Sequence, residues 1–138
     1  MIMDGSSFRE GCAYGGASGS AFGPGHVYVM TYNRAGSNYY KIGCTSRDPN
    51  VRLTEIRQRE QNNGITLVGS VQANEMNTAE TAAQEAVKSQ LRLKKDPERG
   101  GATDWFIGTL PPDGVFDVVQ SAVQRHNAPH ASYVQLEF

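Results

Sequence analysis

The chain has 138 residues, of which 38% are hydrophobic and 20% are charged, a composition typical of one globular domain rather than a disordered chain. Thirteen lysines and arginines against fourteen aspartates and glutamates give a net charge of −1, which excludes nucleic-acid binding by bulk positive charge and leaves only a local patch. No apolar run approaches the roughly 18 residues of a membrane helix. These features predict a soluble protein, cytoplasmic or nuclear/nucleoid-associated, with no membrane partner.

The chain divides into three segments by composition. Seven of the fifteen glycines lie within residues 1–25, where little apolar surface is available to offset the entropy of ordering, so we expect a flexible Gly/Ser-rich leader there. Regular hydrophobic patterns predict a folded domain over residues 26–127. Residues 128–138 are then a C-terminal tail.

The first elements in chain order are a hairpin and a helix. Residues 27–32 and 39–45 are rich in β-branched and aromatic side chains and predict two strands, joined by a longer loop over residues 33–38. Asp48 is a good N-cap and Pro49 suits the first helical position, so a helix is predicted from there to about Gln61.

The second half alternates strands and helices. Residues 65–71 predict a third strand, a second helix begins with Thr78 as its N-cap, residues 104–107 predict a short edge strand, and Asp113 caps a last helix. The order ββαβαβα predicts a small α+β fold, in which helices pack on a mainly antiparallel sheet of three to four strands.

Strand alternation groups the polar side chains of the hairpin. Tyr28 lies on the face opposite Val27 and Val29, so if the valines face the core, Tyr28 faces an open surface. The same rule lets Lys41 converge with Tyr28 on one patch. Arg52 follows within one turn of the helix start, flanking the apolar face of the helix.

Four fragments in order resemble the GIY-YIG nuclease superfamily over about residues 26–108. They are two short aromatic strand motifs, a helical arginine and a late acidic-Trp-Phe element: His26-Val27-Tyr28, Tyr40-Lys41-Ile42-Gly43, Arg52 and Asp104-Trp105-Phe106. The "YKIG" form of the second motif is similar to a compact branch of that superfamily.

The resemblance implies a divalent-metal-dependent endonuclease that hydrolyses DNA phosphodiester bonds, with RNA as an alternative substrate. Such cleavage needs a base or water-positioner, a cation for the phosphate charge and a carboxylate for the metal. The resemblance assigns these roles to Tyr28, to Arg52 with Lys41, and to Glu80 with Mg²⁺ or Mn²⁺.

The metal ligand is open between two glutamates of the second helix. Its apolar face is centred between Ala79 and Ala83, which places Glu80 at the edge near the sheet and Glu85 toward solvent, and this favours Glu80. Further substrate contacts are expected from nearby polar side chains that include Lys41: Thr45, Arg47, Arg59 and Gln84.

Two functional hypotheses follow. With no domain for reading sequence, the nuclease is expected to have low intrinsic specificity and to serve as a toxin or effector, or in a phage or defence setting. Lys41 at the tyrosine position of the second motif, and Gln84 where the branch often has histidine, favour the alternative of a catalytically inactive nucleic-acid-binding or interaction module on the same fold. Nothing in the sequence specifies a protein partner.

Overall fold

The computed structural model describes the backbone of residues 12–13, 23–95 and 105–136. Most of the predicted leader lies outside the described residues, as do Asp104 and the last two residues of the predicted tail. Across the described ranges, no helix is both long and apolar enough to cross a membrane.

A mainly antiparallel sheet and three helices form the domain, which confirms the predicted α+β class. The strands are β1 (Cys12–Ala13), β2 (Gly25–Arg34), β3 (Ser37–Thr45), β4 (Thr66–Ala73), β5 (Lys94–Lys95) and β6 (Phe106–Gly108), and the helices are α1 (Pro49–Glu60), α2 (Met76–Gln90) and α3 (Pro112–Leu136). The strand order is β4-β2-β3-β6-β5, with β1 paired in parallel to β3. The two-residue strands β1 and β5 were not predicted and bring the described sheet to six strands.

The β2–β3 hairpin closes more tightly than its polar sequence predicts. The turn consists of Ala35 and Gly36, both with positive φ (54° and 83°), as tight two-residue hairpin turns require. The predicted loop over 33–38 is therefore wrong. Asn33 and Asn38 are paired in the ladder, and the Asn33 Nδ2 donates to Asn38 Oδ1 at 2.8 Å, so polar residues extend both strands.

Helix α1 begins and ends as its sequence predicts. The Asp48 side chain accepts from the backbone N–H of Asn50 at 2.9 Å, and Pro49 is the first helical residue. At the other end Gln61 takes a left-handed conformation, with φ 53°, and its N–H reaches carbonyls of the last turn. This fixed start sets the angular position of Arg52.

Helix α2 begins earlier than predicted. Glu75 is at the N-cap position without a side-chain cap, and Thr78 lies inside the helix, where its hydroxyl donates to the Glu75 carbonyl oxygen. The prediction of Thr78 as N-cap is wrong because the fully buried Met76 already packs in helical conformation against Gly25, whose missing Cβ leaves the room. Helix α3 begins at Pro112 and continues across the predicted domain boundary at 127/128.

The sheet is covered on both faces. Helices α2 and α3 cover one face, where Val27 and Val29 join the larger hydrophobic cluster. Helix α1 covers the other through Leu53 and Ile56, and Tyr28 belongs to this second cluster. The predicted alternation is therefore confirmed, but the prediction that Tyr28 faces an open surface is wrong, since it is fully buried.

Candidate functional site

Three charged side chains are buried in the described part of the chain. Lys41 and Glu80 are each 1% exposed and Arg52 is 7% exposed. Charged groups are rarely this buried unless they are paired or serve a function. All three belong to the set predicted from the sequence.

The register of the hairpin places the strand residues of this site. Tyr28 lies opposite Gly43, Met30 opposite Lys41, and His26 opposite Thr45. Directly opposed residues share a face in an antiparallel pair, so Lys41 and Thr45 are the diagonal neighbours of Tyr28. Gly43, the residue directly opposite Tyr28, carries no side chain, so β3 places no side chain directly beside the Tyr28 phenol.

Three charged side chains from two other elements act on the Tyr28 phenol. Arg52 on α1 makes a side-chain hydrogen bond with it, and the charges of Arg52, Glu80 on α2 and Arg59 on α1 all affect its ionisation. Burial raises the pKa of Tyr28 to about 12, against the lowering effect of Arg52. The phenol is therefore neutral at physiological pH, which fits the positioning of a water molecule rather than the removal of its proton.

The Arg52 guanidinium is held from two sides. It bonds to Tyr28, and its Nη1 donates to Glu55 Oε1 at 3.1 Å. Burial by itself would lower the pKa of Arg52, but Tyr28 and Glu55 raise it above the ordinary value. The guanidinium keeps its charge and remains suited to an anionic ligand.

Glu80 is fixed by its neighbour one turn along α2. Gln84 Nε2 donates to Glu80 Oε2 at 3.2 Å and to the Ile42 carbonyl oxygen on β3 at 2.9 Å. Gln84 thus connects the Glu80 carboxylate and α2 to the sheet, although the sequence predicted that Gln84 contacts substrate. Glu85 is exposed and forms an ion pair with Lys88 at 3.1 Å, so it lies outside this cluster.

The remaining predicted substrate contacts lie at the edge of the cluster. The Thr45 hydroxyl is buried and accepts from the backbone N–H of Arg47 at 3.1 Å. Arg47 Nη1 and Nη2 donate to the Glu55 carboxylate at 2.9 and 2.8 Å. The Arg59 side chain is partly exposed, and its Nε lies 3.9 Å from Glu60 Oε2. Thr45 and Arg47 are therefore bonded within the protein.

Sequence reasoning missed Glu55 as a functional residue. Its signal is its spacing, three residues after Arg52 on the same helix, where side chains meet on one face. In the sequence it is one acid within a mixed run of charges, which is more often a solvated helix face, and nothing there indicates that it contacts two arginines at once.

The donor groups permit a weakly held divalent ion rather than a closed protein cage. Across the described residues, no group of three or more His, Cys, Asp or Glu side chains is placed to hold a metal. Glu80 contributes one carboxylate. Mg²⁺ is commonly held through one or two carboxylates while it keeps several waters, so the chemistry of Glu80 fits such an ion.

The fold and this cluster define a small α+β domain that gathers a phenol, a guanidinium and a carboxylate beside one sheet. The family model of the T5orf172 domain matches residues 25–125, a range that includes the four side chains predicted to be catalytic: Tyr28, Lys41, Arg52 and Glu80. The chain belongs to the T5orf172 domain family, a phage-associated family of nuclease-type domains. No curated protein and no solved structure matches the chain.

Proposed function

We propose that this protein is a GIY-YIG-type endonuclease that hydrolyses DNA phosphodiester bonds with the help of Mg²⁺ or Mn²⁺. One observation carries the proposal: the Tyr28 phenol on β2 is hydrogen-bonded to Arg52 from α1 and is affected by the charge of Glu80 from α2, although 52 positions separate Tyr28 from Glu80. Membership of a nuclease-type family supports the same class of reaction.

Each side chain has one task in the proposed reaction. Arg52 contacts a non-bridging phosphate oxygen and stabilises the negative charge that grows there in the transition state. Lys41, the diagonal neighbour of Tyr28 on β3, adds a second positive charge on the same face. The neutral Tyr28 phenol orients the attacking water.

Glu80 is the residue that would hold the divalent ion, and a bound ion supplies Lewis-acid polarisation of the phosphate. Gln84 fixes the direction of that carboxylate through its bonds to Glu80 and to β3. The buried groups must be reached from the more exposed side of the cluster, where Arg47, Glu55 and Arg59 lie. Arg59 on this side is placed to contact the DNA backbone, and contacts of that kind give little sequence preference.

A plasmid-nicking assay tests the proposal. Wild type is expected to nick supercoiled DNA with Mg²⁺ or Mn²⁺ and not with EDTA. Glu80→Gln and Arg52→Ala are each expected to lower the rate by roughly 100-fold or more, the usual effect of losing a group that stabilises the transition state. Glu85→Gln is the matched control on the same helix and should retain the wild-type rate.

Two results would overturn the nuclease proposal. One is wild-type nicking that is no faster than that of both active-site variants. The other is salt-dependent DNA binding without metal-dependent cleavage, which would select the catalytically inactive binding module instead.

A further inference from the structure

Glu55 on α1 accepts hydrogen bonds from two arginines. Arg47 binds it in bidentate fashion at 2.9 and 2.8 Å, and Arg52 Nη1 donates to its Oε1 at 3.1 Å. The two guanidiniums therefore share Glu55 Oε1. Bidentate pairing fixes the plane of a carboxylate as well as its distance, so Arg47 determines how Glu55 presents that oxygen to Arg52.

Arg52 needs such a partner because its side chain is only 9% exposed. A buried guanidinium is costly unless its charge and its donors are matched. Tyr28 bonds to it as a neutral phenol and so provides no negative charge, whereas Glu55 provides a carboxylate. Contacts with Tyr28 and Glu55 together restrict rotation of the guanidinium plane.

The support continues back to the sheet. The Arg47 backbone N–H donates to Thr45 Oγ1, and Thr45 is the last residue of β3, fully buried. Hydrogen bonds thus run from the end of β3 through Arg47 and Glu55 to Arg52 and the Tyr28 phenol. The Arg47 hydrogen bonds also lower the pKa of Glu55, which keeps the carboxylate charged at neutral pH.

We propose that Glu55 is a positioning residue, which orients Arg52 toward a substrate phosphate beside Tyr28 without contacting the substrate itself. The inference rests on the proposed nuclease function. It also changes the part expected of Arg47, which acts through Glu55 rather than on the phosphate. Nothing in the GIY-YIG-like motifs of this chain points to Glu55.

A double-mutant cycle tests this role in the cleavage reaction. Glu55→Gln keeps the shape of the side chain and removes its charge, and it is expected to lower kcat by about 10- to 100-fold, the range typical of a supporting group around a reactive centre. Glu85→Gln, which also breaks an acid–base pair spaced three residues apart at 3.1 Å, should leave kcat unchanged. In an Arg52→Ala background, Glu55→Gln should have no further effect, whereas additive losses would overturn the proposal.

A second measurement does not depend on cleavage. Nitrogen-15 NMR of the Arg52 side chain in the DNA-free protein reports rotation about its Nε–Cζ bond, which should be several-fold faster in Glu55→Gln than in wild type. Unchanged rotation would overturn the positioning role whether or not the protein cuts DNA. If rotation is faster in Glu55→Gln but the wild-type protein does not cleave DNA, the nuclease function is refuted and the positioning role is retained.

Discussion

Replacing Tyr28 by phenylalanine should make the protein less sensitive to alkaline pH. Burial raises the pKa of Tyr28 to about 12 in the folded state, whereas an exposed tyrosine in the unfolded chain ionises near pH 10. For a group with a raised folded-state pKa, the stabilisation is complete below the unfolded pKa and is lost as pH rises through the folded pKa. Tyr28→Phe removes the titrating group and this loss with it.

The magnitude follows from the two pKa values. One pKa unit corresponds to about 1.4 kcal/mol, so the full loss is about 2.7 kcal/mol once pH exceeds both values. Between pH 9 and pH 11 the unfolded chain ionises while the folded phenol stays mostly neutral. The free energy of unfolding of wild type should therefore fall by about 1.3 kcal/mol more than that of Tyr28→Phe over this interval.

Urea unfolding at pH 9 and pH 11 measures the difference directly. Every other ionisable group is present in both proteins, including Tyr40, whose pKa is also raised by burial, so those contributions cancel in the comparison. An equal loss of unfolding free energy in both proteins would show that Tyr28 ionises as an exposed tyrosine does. That result would refute the buried, neutral phenol and with it the assignment of Tyr28 as a water-positioning residue.

Three further perturbations test separate parts of the structure. Gln84→Ala removes the hydrogen bonds that Gln84 donates to Glu80 and to the Ile42 carbonyl oxygen. Nicking is expected to be about 10-fold slower and to require a higher Mg²⁺ concentration, and an unchanged Mg²⁺ titration would contradict this. Arg47 lowers the pKa of Glu55, so the stabilisation that the charged Glu55 gives the fold is present above the unfolded-state pKa and is lost as pH falls. Between pH 5 and pH 3, wild type should therefore lose more unfolding free energy than Glu55→Gln. Equal losses in urea unfolding would count against this. Ala35→Gly should raise the free energy of unfolding by about 0.5–1 kcal/mol because it relieves a positive φ, and destabilisation in the same assay would show that the turn is misassigned.

The sequence predicted those parts of the fold that depend on local periodicity and capping. Alternation in the hairpin separated Val27 from Tyr28, and the Asp48-Pro49 pair located the start of α1. The errors arose where tertiary contacts outweigh local preference. Helix α2 begins two residues before the good N-cap Thr78 because Met76 is buried in helical conformation. Strand alternation separates the two faces of the sheet, but it does not show that α1 covers the second face.

For the candidate site, the sequence predicted which residues belong to it but not which of them bond to one another. The resemblance of short motifs to a known nuclease superfamily was enough to propose Tyr28, Arg52 and Glu80, and helical spacing favoured Glu80 over Glu85. Which groups bond to one another could not be obtained from spacing alone. Arg47 was expected to contact substrate, and its pairing with Glu55 arises because the β3–α1 connection returns it alongside the helix.

Stability alone gives a poor account of the buried charges. A buried ion pair contributes little compared with apolar side chains of similar volume, and replacing such pairs by apolar groups is often neutral or stabilising. The face of the sheet beneath α1 already has an apolar cluster, to which Leu53, Ile56 and Trp105 contribute. Arg52 is therefore not needed to close that face. The burial of Arg52 beside a neutral phenol instead supports the proposed reaction, which requires fixed charges in a site from which water is largely excluded.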